Sequence, residues 1–569
     1  MVNEEDVATM EFDAERMFEK PVHRISRHIR EEFWDGLTRT IDAQGLPAVL
    51  KDEKLSAHGG VRYIYVPRDD PDSARYFGHI ADSRPELNIR MVVLPDPVTP
   101  EFVRSLNGTN GILTLGLGES SPWGSDGRPF VVPGGRFNEM YGWDSYFILL
   151  GLLKDGKVDL ARAIIDNFVY EIRHYGAILN ANRTYYLTRS QPPFLTSMAI
   201  ACYGRLPRTA DNKAWFADVI DAAIAEYHRV WMNPDHRTAT GLSRYFDSGS
   251  GMPLEAEPGH FDTYLAPLAL KRGLTLEHFR ELYRTHQIED EDLDWFFTHD
   301  RAMRESGHDS TYRLIGCCAN LVTVDLNALL YKIESDIAGA LATEFGGSLR
   351  LGDGSTATAE SWTERAAHRR ETIDRYLWDR ELGMYFDYDF VHEEQTRYIS
   401  ATTFYPLWAG AATKEQARRL LQGVLPLLEV PGGIAASALV SRGPLNGIRP
   451  ACQWDYPYGW APHQMLLWQA LVDYGYDNIA RRLAYRWLYT ITLNAAQNGG
   501  IIPEKFDVEK RTAEVTAEYG NVGASRSGST PYGFAWTNAS YQVGLNILTP
   551  DLVDALNRLV PPEWVFRKR

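Results

Sequence analysis

Apolar residues recur along most of this chain at the spacing of one helix face. Leu160, Ile164, Phe168 and Ile172 follow at intervals of four, Ile165 and Val169 widen the stripe, and Gly176 ends it. Leu326, Leu330, Ile333 and Ile337 form a second stripe; Ile479, Leu483, Trp487 and Ile491 form a third, after the stop and start signals Gly475 and Asp477. Between residues 60 and 115 the pattern changes to short β-like runs, Val61 to Val66 and Met91 to Leu94, punctuated by Pro67, Pro71, Pro95 and Pro97. They read as covering structure on a helical body. Trp378-Asp379 and the segment Gly383 to Tyr388 read as a helix end followed by a short strand. Pro133-Gly134-Gly135, Pro431-Gly432-Gly433 and Asn498-Gly499-Gly500 mark turns, and the polar residues of interest lie close to them, which places function on loops. Residues 1–20 are mostly charged and read as an acidic tail; residues 21–569 read as one folded domain, since no linker interrupts 130–560. No fixed-period repeat is visible.

Composition narrows the class. At 569 residues and 44% hydrophobic content the chain can bury a large core, as several domains or as one large helical barrel. A formal net charge of −16 argues against nucleic acid, whose phosphates require a basic face. Cys202, Cys317, Cys318 and Cys452 show neither metal nor disulfide spacing and read as thiols of a reducing compartment. The acidic first residues are no signal peptide, and no apolar run reaches the length of a membrane span, so a cytoplasmic protein is expected. The acidic run Glu289 to Asp294 lacks the glycine and closing glutamate of an EF-hand loop and reads as a solvated face. Phosphate-binding glycine loops, zinc-protease spacings and nucleophile elbows are absent; no metal and no organic cofactor are expected.

One stretch concentrates the devices of a carbohydrate site, Pro133-Gly134-Gly135-Arg136-Phe137-Asn138-Glu139-Met140-Tyr141-Gly142-Trp143-Asp144. Arg136 offers a rigid fork of donors, Trp143 and Tyr141 offer flat apolar faces, and Asp144 accepts paired hydrogen bonds from a diol. A second stretch, Gln453-Trp454-Asp455-Tyr456-Pro457-Tyr458-Gly459-Trp460, again sets a Trp-Asp pair beside glycine and proline and runs into an apolar helix. Each taken alone is also compatible with a buried aromatic turn. Glycoside hydrolysis needs one protonated and one ionised carboxyl group on opposite sides of the anomeric carbon. Asp309, in Arg304-Glu305-Ser306-Gly307-His308-Asp309, and Glu504, in Gly499-Gly500-Ile501-Ile502-Pro503-Glu504-Lys505-Phe506-Asp507-Val508, are the two best placed.

Both Trp-Asp stretches resemble the signature motifs of the trehalase family of glycoside hydrolases, and the likeness runs over roughly residues 21–560. The Arg304 to Asp309 segment is similar to the form found in the catalytic domain of fungal-type neutral, cytosolic trehalases. The resemblance implies an all-α, (α/α)6 barrel with short β decorations near its N-terminal region. It also implies hydrolysis of α,α-trehalose to two glucoses with inversion, Asp309 being the general acid and Glu504 the general base. The family's Glu-Lys-Tyr-Asp-Val has Phe506 in place of its tyrosine here. Implied substrate contacts are Arg136, Trp143, Asp144, Asn180, Arg189, Ser190, Gln191, Glu255, Arg304, Gly307, Trp454 and Glu518, and Ala535 stands where the family usually has glycine. Glycines around Glu504 and Glu518 suggest that residues 498–530 act as a lid. Two other readings stay open: an exo-acting α-glucosidase for another glucoside such as glucosylglycerate, and a silent trehalose sensor. No regulatory partner site is found, and Ser26 in His23-Arg24-Ile25-Ser26-Arg27 reads as structural rather than as a phosphosite.

Overall fold

The computed structural model describes residues 19–567 apart from 52–59, 107, 119–125, 257–258, 447–448, 518–519 and 521–531. Most of the expected tail, Glu518, and the 521–530 part of the expected lid lie outside the described residues. Six inner helices close a ring: α1 (Asp144–Lys154), α3 (Leu195–Tyr203), α5 (Val324–Glu344), α7 (Tyr405–Trp408), α9 (Ala461–Asp473) and α11 (Ala535–Ile547), each packed on the next and α11 back on α1. Following inner helices outward come α2 (Val158–His174), α4 (Ala210–Glu226), α6 (Ala359–Tyr376), α8 (Lys414–Gly423) and α10 (Asp477–Gln497). The fold is an (α/α)6 barrel.

The two layers differ in sequence for a physical reason. Inner helices such as α1, Asp144-Ser145-Tyr146-Phe147-Ile148-Leu149 onward, are buried on every side and carry apolar residues all round. The outer helix α2 faces water on one side and is striped. Gly151 lets α1 and α11 touch: a Cβ there would lie 2.7 Å from the Ala539 backbone. The helix Pro21–His28 packs outside α10, and the Ser26 hydroxyl donates to Gln542 Oε1 of α11 at 2.7 Å, a structural use of that serine.

Two additions shape one end of the ring. Strands β1 (Arg62–Val66), β2 (Ile89–Val93) and β3 (Gly111–Leu113) form a parallel sheet with β1 in the middle, the crossovers being the helices Pro71–Ser83 and Pro100–Ser105. Leu113 N donates to Asn182 O at 3.0 Å and Asn182 Nδ2 to Leu113 O at 3.2 Å, so the sheet buttresses the loop that carries Asn180. The second addition is a trio of helices, Asp262–Lys271, Leu276–Arg284 and Glu291–Glu305, with a separate small core of Phe261, Leu265, Phe279, Tyr283, Leu293 and Phe297. The acidic run serves this unit. Asp290 caps the third helix through Leu293 N at 3.2 Å and pairs with Arg272 at 2.6 Å, while Asp294 accepts the Tyr283 hydroxyl at 2.7 Å.

Candidate active site

The loops that lead into the N-termini of the inner helices converge at one end of the ring. Residues 133–143 precede α1, 180–191 precede α3, 304–313 precede α5, 453–460 precede α9 and Phe534 precedes α11. They surround a cavity of about 1200 Å³. Arg136, Trp143, Asp144, Asn180, Arg189, Gln191, Glu255, Arg304, Gly307, Asp309, Trp454 and Glu504 all line it. Ser190 does not: its hydroxyl donates to Ile178 O at 2.6 Å and its N–H to Glu305 Oε1 at 3.2 Å, so it knits the loop together behind the wall.

Four carboxyl groups line this cavity, those of Asp144, Glu255, Asp309 and Glu504. Burial pushes the Asp309 carboxyl up to about 6, against the pull of Arg304 and Arg189, and the charges of Glu255 and Glu504 add to the rise. Asp144, the first residue of α1, is driven well above the ordinary carboxylate range by burial and then by Glu504 and Asp309. Glu504 has its backbone carbonyl fixed by Trp536 Nε1 at 2.9 Å and by the Thr537 hydroxyl at 3.2 Å, and its Oε2 lies 2.6 Å from Lys505 Nζ.

Around Asp309 stands a lattice of arginines and acids. Arg189 is paired with Glu255 and lies 3.6 Å from Asp247, while Arg304 Nε bonds Asp300 at 2.8 Å and Arg304 Nη1 stands 3.9 Å from Glu255. Burial would raise the Glu255 carboxyl, but the two guanidinium groups more than offset it and hold the group below its usual range. Asn180 Nδ2 reaches the Ser190 and Arg304 carbonyls, both at 3.4 Å, and Gln191 Oε1 accepts from Trp143 N at 2.9 Å. The first Trp-Asp turn is thus held by the 180–191 loop.

The second Trp-Asp turn is held by the 304–313 loop. Trp454 N donates to Ser310 O at 3.0 Å, and Asp455, fully buried, accepts from the Thr311 hydroxyl at 2.7 Å, Tyr312 N at 2.9 Å and the Tyr398 hydroxyl at 2.7 Å. Trp454 stacks on Trp460 with ring centroids 3.9 Å apart, and Trp143 lies 5.5 Å from Trp454. Gly307 has φ +72°, and a Cβ on it would meet Trp143 Cε2 at 2.7 Å, so glycine is required for this loop to lie on the indole. His308, next to Asp309, faces His463 with 3.1 Å between Nε2 atoms; its Nδ1–H donates to Ser306 O at 2.9 Å, and burial pushes it down to about 4, so it is neutral.

The trehalase family profile matches residues 6–549. The chain belongs to the trehalase family. It is 46% identical to the cytosolic neutral trehalase of Saccharomyces cerevisiae over 97% of this chain and 75% of that protein. It is 45% identical to the cytosolic neutral trehalase of Pyricularia oryzae, over 96% of this chain and 77% of that one. Its structure is similar to the solved neutral trehalase Nth1 from Saccharomyces cerevisiae, with a TM-score of 0.88 at 44% identity, covering 96% of this chain and 97% of that chain.

Within this trehalase-family pocket the fold also brings in residues that the sequence reading left out. Gln453, Trp460, Phe534 and Trp536 line the cavity, and Lys505 stands directly behind Glu504. Trp460 and Gln453 lie inside the second signature stretch, which was a usable signal. Lys505 gave none, because neighbours on an extended segment ordinarily point to opposite sides.

Proposed function

We propose that the protein hydrolyses α,α-trehalose to two glucose molecules by a single displacement with inversion. Asp309, as general acid, gives its proton to the bridging oxygen as the anomeric C–O bond breaks and that oxygen keeps the electron pair. Glu504, as general base, takes a proton from the water that attacks the anomeric carbon from the opposite face, and ends neutral. The observation that carries this reading is the Asp309 carboxyl, raised by burial to about 6, lining the same cavity as Glu504, whose Oε2 is paired with the Lys505 ammonium. Asp144, Arg189, Glu255 and Arg304 would bind sugar hydroxyls, with Trp143 and Trp454 under the ring faces, as the family resemblance implies. Glu518 is kept in that set from the resemblance alone.

The reading also has the protein work in the cytosol, as the names of its relatives state of them. Among the described residues no helix is long and apolar enough to cross a membrane. Hydrolysis is read as intrinsic to this chain, the acidic run at 289–294 being occupied with helix capping and ion pairing. Purified protein should therefore turn over trehalose equally with chelator or added calcium. The decisive assay is glucose release from trehalose with anomer detection by NMR: one α and one β product are expected, and Asp309→Asn and Glu504→Gln should each lower kcat by at least about 100-fold while still binding trehalose. Two α products, or near-normal turnover in either variant, would sink the assignment.

A further inference from the structure

Lys505 is 0% exposed. A buried ammonium costs several kcal/mol unless it is paired and hydrogen-bonded, so its surroundings show what it is for. It belongs to β5 (Lys505–Asp507), which pairs antiparallel with β4 (Tyr458–Trp460), Trp460 opposite Lys505. Phe506 takes the other face and packs edge-on against Trp487 at 5.5 Å. The ammonium donates to Gln453 Oε1 at 3.1 Å, sits 4.8 Å from the centre of the Trp460 ring, and doubles back to Glu504 Oε2 at 2.6 Å. Gln453 and Trp460 hold the cation and Glu504 receives it. Lys505 does not line the cavity, so it does not meet the sugar.

We infer that Lys505 is a positioning residue that sets which of the cavity carboxyls serves as the base and which oxygen of Glu504 faces the attacking water. The inference rests on the acid and base assignment above. Asp144, Asp309 and Glu504 share one cavity, and like charges so placed do not all ionise together. The charged groups that share the cavity with Glu504 are Asp144 at the start of α1, Asp309 on the 304–313 loop, Glu255, and the cations Arg39, Lys51, Arg136, Arg189 and Arg304. Of the cations, Lys505 touches Glu504 directly. A cation in such contact favours the charged form of a carboxyl, and a charged Glu504 in turn helps Asp309 and Asp144 keep their protons. Because Oε2 is occupied by Nζ, Oε1 is the oxygen left for water. Lys505 itself neither gains nor loses a proton in the reaction. The second signature stretch, on this view, seats the cation that tunes the base.

The test is Lys505→Met, which keeps the stem and deletes the charge, with Lys505→Arg beside it and trehalose affinity and melting temperature measured for both. In Lys505→Met the acidic limb of kcat/KM should move up by about 1–3 pH units, kcat at the wild-type optimum should fall about 100-fold, and trehalose Kd should change less than about threefold. Lys505→Arg should return the limb towards its wild-type position even where kcat is only partly restored. Should Lys505→Met not fold, Gln453→Met, which loosens the cation without removing it, should move the same limb up by about half a unit. An unmoved acidic limb in the folded Met variant, or in Gln453→Met, overturns the inference, as does equal loss in Met and Arg variants with no change of pH profile. Glu504→Gln separates the two levels: if that variant keeps turnover, the base assignment itself fails, whatever Lys505 does.

Discussion

Two Trp-Asp turns, each ahead of an inner helix, have nearly the same local sequence and opposite fates. Asp144 opens on the cavity, and burial among like charges pushes its carboxyl well up. Asp455 is shut away with three donors, from Thr311, Tyr312 and Tyr398. The first is a carboxyl desolvated among like charges at the wall of the cavity, where it is placed to meet hydroxyls. The second is a satisfied anchor that ties the α9 side of the ring to the loop carrying Asp309. The motif fixes a turn and an aromatic floor; which neighbouring loop lies against it decides whether its acid binds ligand or holds structure.

Paired substitutions test that contrast most sharply. Asp144→Ala should lower kcat/KM on trehalose by about 100-fold or more and leave the melting temperature unchanged or higher, since a carboxyl desolvated among like charges is removed. Asp455→Ala should do the reverse in emphasis, costing about 2–4 kcal/mol of stability by leaving buried donors unpaired. A calorimetric scan and steady-state kinetics on both variants suffice. Equal behaviour of the two would erase the distinction.

The coupling between the turns comes next. Gly307 rests on Trp143, and at φ +72° an alanine is both strained and overpacked, its Cβ 2.7 Å from the indole. Gly307→Ala should cost about 2 kcal/mol, and should lower kcat more than it raises KM because Asp309 is displaced two residues on. A wild-type kcat would mean the loop can part from the indole without consequence.

How much of this was legible in the sequence differs by layer and by neighbour. The stripe on α2 was readable because that helix has a wet side, and a second, at Leu326, Leu330, Ile333 and Ile337, lies on the inner helix α5. Ring closure was not: α1 and α9 are buried all round, and an apolar run without a stripe does not say which helix it meets. The loop residues were found largely through the family likeness, and the cavity gathers twelve of them. Ser190 went astray because its neighbours Arg189 and Gln191 both face the cavity, while a hydroxyl between them turns inward to Ile178 O. For Asp455 no role was assigned, since spacing along a loop does not record what packs on it.

Smaller effects refine the picture. With a carboxyl raised to about 6, Asp309 is protonated below that pH and loses its proton as pH rises through it, so kcat/KM of the free enzyme should decline from about pH 6 upward. A profile flat between about pH 5 and 8 would remove Asp309 as donor. Ser190→Ala should keep kcat and KM within about twofold and cost about 1 kcal/mol of stability, the worth of one internal hydrogen bond. A tenfold rise in KM would instead return its hydroxyl to the sugar.

The trio of helices from Asp262 to Glu305 has a core of its own, yet its last turn supplies Arg304 and its leading loop supplies Glu255. Part of the pocket therefore hangs on a unit whose outer part has a small core separate from that of the ring, and opening of that part is expected at a free energy below that of global unfolding. Heat would act on such a molecule as on a circuit with a fuse: turnover would vanish while the barrel remained intact, and would return on cooling. Amide exchange in Asp262–Lys271 would report the break before any loss of helix in α1 or α9.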